Sequence, residues 1–587
     1  MLQDIQKLQE YLKNNNIDAY IISSNDDHGS EYIGDHFKAR AYFSSFTGSA
    51  GTLVVTQNAS YVWTDGRYFL QAEAQLKKSN SILMKMGLPE TPSISEFIAS
   101  LGENKTIAFD FKLVPTSFAL NLKKVNPSDT LLDDGSIIDQ IWENRPSIKK
   151  SKAYYLNDSI SGESVESKIN FLIDDLENKK AAGVLVTSLD DIAYLTNTRG
   201  DDISYNPVNY AFFYLSRGKR ILYMDEEKYD AKFLSIMENL GIKIKSYNDV
   251  YNDVKDIEGD VLLDEGKTNY ALYNSIKNPV LERFSALTMK KTIKNPTEIK
   301  NIKKAHIEDA VAMIKFMHYV KTNFNKIDLD ELKIQDQLLK FRQEGKDFLD
   351  LSFGTICGFN EHGAIIHYSS SEETNIKVEG AGLLLVDSGA QYKYGTTDIT
   401  RTFALGKISK EMKRYFTLVL KSHIDLAKTT FLENTPGLSL DMISRAPLYH
   451  EYLDYRHGTG HGVGYLLNVH EGPQSITCRG ITPMSSYPFK ENMLTSNEPG
   501  IYLPNKFGIR HENLVLTYKK EENEWGKFLG FETITLVPFD LDGIDKSLLD
   551  ESEKKWLNDY HKLVYKKLNK YLTPELSRYL KKVTKAI

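Results

Sequence analysis

Cysteine is almost absent: Cys357 and Cys478 are the only two in 587 residues. That excludes a disulfide framework and any cysteine-built zinc site. Long apolar runs are missing as well, and none approaches the roughly 18 residues a membrane span needs. At the amino terminus Leu2, Ile5, Leu8 and Leu12 share one helical face, but the acids and lysines between them interrupt any signal-peptide core. No lipidation box ends the chain at Lys585-Ala-Ile587, and no low-complexity linker exceeds a few residues. Nor is there an excess of positive charge. A formal net charge of −6 leaves no electrostatic footprint for nucleic acid or for an anionic membrane, and the lysines at 563–570 read as a solvated helix face. The expectation is a cytoplasmic protein with neither nucleic acid nor membrane among its partners.

What is present is ordinary for a globular chain, 41% hydrophobic and 26% charged, and long enough for three or four domains. A helix leads into a strand at 19–23, with further strands at 51–56 and 60–63. A charged helix at 166–179 then leads into a strand at 183–187. Ala19-Tyr-Ile-Ile-Ser-Ser-Asn-Asp-Asp27 and Ala182-Gly-Val-Leu-Val-Thr-Ser-Leu-Asp-Asp191 share one apolar-then-acidic pattern, which predicts an α/β domain used twice, joined near 145–160. After Asn295-Pro296, Thr297 is expected to cap a long amphipathic helix through Ile299, Ile302, His306, Ala310 and Met313. The tail is expected to carry a strand at 532–537. A helix from Asp550 follows, with Trp556, Tyr560, Leu563 and Val564 on one face, and Thr573-Pro574 opens a last helix. That apolar stripe reads as packing or oligomer surface, so a homodimer is left open.

The chemistry concentrates in the last third. Asp387 ends an apolar run in Asp387-Ser-Gly-Ala-Gln-Tyr392, and Asp398 follows 11 residues later in Thr397-Asp-Ile-Thr-Arg401. Glu498 opens Glu498-Pro-Gly-Ile-Tyr502, and Glu512 follows 14 residues later in Gly508-Ile-Arg-His-Glu-Asn513. Each half is a carboxylate, a glycine two residues on, a tyrosine, a turn, and a second carboxylate near an arginine. Two such hairpins facing each other would aim four carboxylates at one point. A single acid is ordinarily solvated, but acids within apolar strands cost several kcal/mol unless something pairs with them. With His461 in His457-Gly-Thr-Gly-His-Gly-Val-Gly464, the set suits a pair of hard divalent cations. His367 and His470 place two further imidazoles beside these motifs, where proton transfer and oxyanion stabilisation are the natural uses.

In this order and with these motifs, DSGAQY, TTDITRT, HGTGHGVG, NEPGIY and IRHEN, the sequence resembles the pita-bread metallopeptidases: methionine aminopeptidase, prolidase and aminopeptidase P. Metal-free creatinase lacks the ligands. HYSS at 367–370 and NVHEGP at 468–473 look most like aminopeptidase P, the Xaa-Pro aminopeptidases. Phe46-Thr-Gly-Ser-Ala-Gly51, Trp63-Thr-Asp-Gly-Arg-Tyr-Phe-Leu-Gln-Ala72, Asn197-Thr-Arg-Gly-Asp201, Tyr205-Asn-Pro207 and Trp556-Leu-Asn-Asp-Tyr-His561 extend the likeness to the long, three-domain form. The resemblance implies an α/β (α+β) chain: creatinase-like domains at 1–150 and 151–295, a pita-bread catalytic domain at 296–524, and a carboxy-terminal segment at 525–587.

It also implies two divalent metals, Mn²⁺ foremost with Co²⁺, Fe²⁺ or Zn²⁺ as alternatives. Asp398 and Glu512 would bridge them, Asp387 would complete one, and His461 and Glu498 the other. A metal-bridging hydroxide would attack the peptide bond, and Glu498 would move its proton to the leaving proline nitrogen. His367 and His470 would hold the substrate carbonyl and its oxyanion, His457 would line the proline side, and Arg401 and Arg510 would orient the bridging acids. The expected substrate is a peptide with an amino-terminal Xaa-Pro. Two readings compete: a prolidase restricted to dipeptides, and a pita-bread protein that binds peptide without cleaving it.

Overall fold

The computed structural model describes residues 2–587. They form two compact units: the first ends at Asp158 and resumes over Glu163–Met289, and the second takes Ser159–Gly162 and Lys290–Ile587.

The first unit contains two six-stranded sheets built to one plan. In one, Ala19–Ile22 lies between Thr52–Thr56, antiparallel, and Thr106–Phe109, parallel. In the other, Gly183–Val186 lies between Ala211–Ser216, antiparallel, and Val261–Asp264, parallel. The outer strands repeat the same order and sense, so the duplication suggested by the two similar openings holds strand for strand. All four residues of each central strand are buried, as expected where both faces of a sheet are covered. The first helix, Leu2–Asn14, buries Ile5, Leu8 and Leu12 while Leu2 stays exposed.

The second unit opens on the 28-residue helix Pro296–Asn323. Thr297 is not its cap. Asn295 is: its side chain accepts from Glu298 N, and Glu298 returns the bond to Asn295 N. Pro296, whose fixed φ suits the first helical position, puts the start two residues earlier than a threonine cap at 297 would. Met313, Phe316, Met317 and Val320 from this helix enter the main core with Leu384 and Val386 of the strand Gly382–Ser388 and Phe403 of the strand Ile399–Leu405.

The carboxylate motifs occupy a repeated four-strand device. In the first copy the long strands Gly382–Ser388 and Ile399–Leu405 pair antiparallel, with Asp387 opposite Thr400, and the short pair Ala390–Tyr392 and Gly395–Thr396 forms a hairpin between them in sequence. In the second copy Leu494–Asn497 pairs with Asn513–Asn523, with Asn497 opposite Asn513, and Gly500–Leu503 with Phe507–Arg510 forms the inner hairpin. Asp387 and Glu498 stand where the first outer strand gives way to the inner hairpin. Asp398 and Glu512 stand where the inner hairpin returns to the second.

In the tail the strand is Gly526–Thr533, so the strand expected at 532–537 overruns it; 534–537 leave the ladder but stay buried, and Val537 O accepts instead from Tyr560 Oη and Arg401. Asp550 and Thr573 cap the last two long helices as expected. The stripe on Glu551–Leu568 packs inward through Leu557, Tyr560, Val564 and Leu568, whereas Leu563, expected on it, is exposed.

Candidate metal centre

Asp387, Asp398, His461, Glu498 and Glu512 converge. Ligand atoms of Asp398, His461 and Glu512 all lie within 4.8 Å of one another. His461 Nε2 is 3.5 Å from Asp398 Oδ2 and 3.4 Å from Glu498 Oε1. Asp387 joins through Arg510, whose Nη2 donates to its Oδ2 at 2.6 Å.

Local sequence explains the placement. The two four-strand copies are stitched at their acids: Thr400 Oγ1 donates to Glu512 Oε2 at 2.8 Å, Glu512 N donates to Thr400 O at 3.1 Å, and Arg401 Nη1 donates to Glu512 O at 2.5 Å. His461 sits on the strand Gly460–Gly462 between two required glycines. A Cβ at Gly460 would lie 2.0 Å from Ser496 O and one at Gly462 2.3 Å from Glu471 O, so only glycine lets the neighbouring strands close on the imidazole. Ser496 Oγ donates to Glu498 Oε1 at 3.1 Å and accepts from His461 N at 3.0 Å. His461 Nδ1 is 2.8 Å from Gly462 O, which keeps a proton on Nδ1 and leaves Nε2 as the ring atom that faces the acids.

The electrostatics show what the cluster is missing. Three buried carboxylates and the half-buried Glu498 face one guanidinium and one imidazole. Burial pushes Glu512 well above the usual carboxylate range, reinforced by Asp398, Asp387 and Glu498. Burial raises Asp387 and Glu498 too, with Asp398 adding to each, although Arg510 and His461 respectively oppose the rise. Burial alone would lower His461, but Asp398 and Glu498 outweigh it and push the ring up to about 9. Asp387 Oδ1 is buried without a hydrogen-bond partner. Acids pushed up by burial and by one another, an orphaned carboxylate oxygen, and an imidazole whose Nε2 faces them together fit two divalent cations.

The remaining expected residues surround this centre. His470 stands edge to face with His461, ring centroids 4.3 Å apart. His367 follows Ile366, whose carbonyl lies 3.4 Å from Arg510 Nη1, in a segment anchored by the buried Glu331, which accepts from Tyr368 Oη at 2.8 Å and from Phe359 N at 2.8 Å. His457 Nδ1 is 2.7 Å from Gly458 O, and its Nε2 is 2.8 Å from Tyr502 Oη, which accepts in turn from Arg510 Nη1 at 2.6 Å. Arg510 therefore reaches Asp387 and Tyr502, while Arg401 holds the backbone at Glu512 and at Val537. Glu331 gave no signal in the sequence. Tyr502 stood inside the Glu498 motif, and its role appears only with the fold.

Residues 300–519 match metallopeptidase family M24, 5–141 and 144–298 each match a creatinase/prolidase N-terminal domain, and 527–587 match the C-terminal region of that peptidase family. The chain is 38% identical to a probable Xaa-Pro aminopeptidase P of Laccaria bicolor, over 97% of this chain and 90% of the relative. It is 37% identical to Xaa-Pro aminopeptidase 1 of Dictyostelium discoideum, over 96% and 92%. Among solved structures, the X-prolyl aminopeptidase of Caenorhabditis elegans, described as a cytosolic enzyme with a di-nuclear active site, superposes with a TM-score of 0.93 at 32% identity, over 97% of this chain and 95% of that one.

Proposed function

This chain belongs to metallopeptidase family M24, among its Xaa-Pro aminopeptidases, and we propose that it removes the amino-terminal residue from peptides with proline in second place. The observation that carries the reading is the convergence of Asp387, Asp398, His461, Glu498 and Glu512 in a buried site whose negative charge the protein itself leaves uncompensated. We assign these five side chains to two divalent cations, with Mn²⁺ foremost because an oxygen-rich set with one imidazole favours it over softer ions. Asp398 and Glu512, which share one group of ligand atoms with His461, would serve both ions. When bound, the cations supply Lewis acidity for the scissile carbonyl and the attacking water.

The protein's own groups do the rest. Glu498 Oε1, steadied by Ser496, takes the proton of the attacking water and returns it to the leaving nitrogen. His470 and His367 donate to the oxygen that gains charge as the carbonyl becomes tetrahedral. Asp387, gripped by Arg510, faces the substrate's free amine, which ties cleavage to the chain end. His457, held by Tyr502, lines the proline side.

Among the described residues no helix is long and apolar enough to cross a membrane, and the cytosolic setting of the nematode relative supports the same setting here. Arg-Pro-Pro offered beside Gly-Pro, with Mn²⁺ and after chelation, tests the proposal: metal-dependent release of arginine is expected. Cleavage of the dipeptide alone would make the chain a prolidase, and cleavage of neither would leave a peptide binder.

A further inference from the structure

Behind the acid cluster lies a group that the proposed reaction does not use. His423, fully buried on the helix Lys410–Ala427, sits between Asn497 and Asn513. Those asparagines face each other across the second outer strand pair, and they are the chain neighbours of Glu498 and Glu512. His423 Nδ1 is 3.0 Å from Asn497 O and its Nε2 is 3.0 Å from Asn513 Nδ2, while Asn497 Nδ2 donates to His423 O at 2.9 Å.

The proton positions follow from a single cation. Arg401 Nη2 donates to Asn513 Oδ1 at 2.7 Å, which forces that amide to turn its Nδ2 hydrogens toward His423. The facing Nε2 must then accept, so the ring proton is on Nδ1 and is donated to Asn497 O. Only this neutral tautomer satisfies every partner, since an imidazolium would set one N–H against another. Burial, and after it the charge of Arg401, push the ring down to about 3, in keeping with that state. The result is a directional chain, Arg401 to Asn513 to His423 to Asn497, whose first member also grips Glu512 O.

We propose that His423 is a positioning residue for the metal site: it fixes the spacing of the two strands at the point where they release Glu498 and Glu512. The proposal rests on the metal-binding reading above. The backbone ladder between these two strands stops at the Asn497 and Asn513 pair; beyond it Glu498 N donates to Thr459 O and Glu512 N to Thr400 O, each to a different segment, so the spacing of the two glutamates also draws on the side-chain ties that cross the pair. A packing role alone would need only the ring's contacts with Phe539 and Trp556, at centroid distances of 5.2 and 6.1 Å, and phenylalanine would preserve those.

The test uses the full chain, stripped of metal and titrated with Mn²⁺ by calorimetry, alongside thermal melting and steady-state kinetics. His423→Phe should melt cooperatively yet lose roughly 10- to 100-fold in affinity for at least one ion, the usual effect of removing a group that orients a ligand. At sub-saturating Mn²⁺ its kcat should fall with KM little changed. His423→Gln, which can both donate and accept, should recover part of the loss. Asn513→Leu cuts the same chain from its other end, must reproduce the loss, and decides the matter if the phenylalanine variant does not fold. Wild-type affinity in His423→Phe or in Asn513→Leu would overturn the proposal. Failure of the wild-type protein to take up metal would instead overturn the reading on which it rests.

Discussion

Replacing Glu512 with glutamine should make the protein more stable than the wild type without metal and less stable than the wild type with it. Glutamine keeps the shape and can still accept from Thr400 Oγ1, the bond that is 2.8 Å long in the native site, but it removes one of four clustered charges. Two unit charges at the 4.8 Å limit of the Asp398, His461 and Glu512 group repel by about 3.5 kcal/mol at an effective dielectric near 20. Because Glu512 is pushed well above the usual range, its proton-bound form stabilises the metal-free fold fully below the unfolded carboxyl range. That contribution is lost as pH rises toward its folded value. In chelator at alkaline pH, Glu512→Gln should therefore melt above the wild type, by roughly 5 °C if the whole repulsion is relieved in a unit of this size. With metal at about 100 times its Kd, the wild type gains about 2.7 kcal/mol per site, the variant loses most of that, and the order inverts. Paired thermal melts in chelator and in Mn²⁺ across pH 6 to 9 read both effects. A variant that melts below the wild type in chelator at high pH, or that keeps the full metal-induced shift, would refute the reasoning.

His470→Ala and His367→Ala should each retain two metals while kcat falls by roughly 10²- to 10⁴-fold, the range for a lost proton donor or oxyanion contact; metal analysis of either variant that returned less than two would make that histidine a ligand. Metal uptake should release protons and weaken as pH falls below about 9, because His461 is held protonated by Asp398 and Glu498 in the free site and must be neutral to bind; calorimetry in buffers of different ionisation enthalpy measures the count, and uptake without proton release would contradict it.

Local pattern carried the sequence reading a long way, and where it failed the reason is physical. The duplicated first unit was legible because a buried central strand has to be a short continuous apolar run, and 19–22 and 183–186 both are. The carboxylate motifs were legible because acids directly after apolar strands demand compensation. Boundaries were less secure: Asn295 and Thr297 are both good caps by residue type, and Pro296 decided between them. The strand expected at 532–537 ended early because Tyr560 and Arg401, from distant parts of the chain, take over the carbonyl of Val537. Contacts of that kind are invisible to spacing. Arg510 stands two residues from Glu512, yet its guanidinium binds Asp387, 123 residues away, and Tyr502. His423 lies 74 residues from Asn497 and 90 from Asn513, so no local spacing ties it to the two glutamates.

The central claim is that the site acts on a free amino terminus followed by proline, and three matched peptides under saturating Mn²⁺ address it most directly: free Xaa-Pro, acetylated Xaa-Pro and free Xaa-Ala. The account predicts turnover of the first and essentially none of the second, because acetylation removes the amine's lone pair and its contact with Asp387. A reduced kcat/KM is expected for the third, which brings an amide proton without a partner into the proline slot. Comparable cleavage of the acetylated peptide would contradict an aminopeptidase outright, and equal cleavage of the alanine peptide would contradict the specificity for proline.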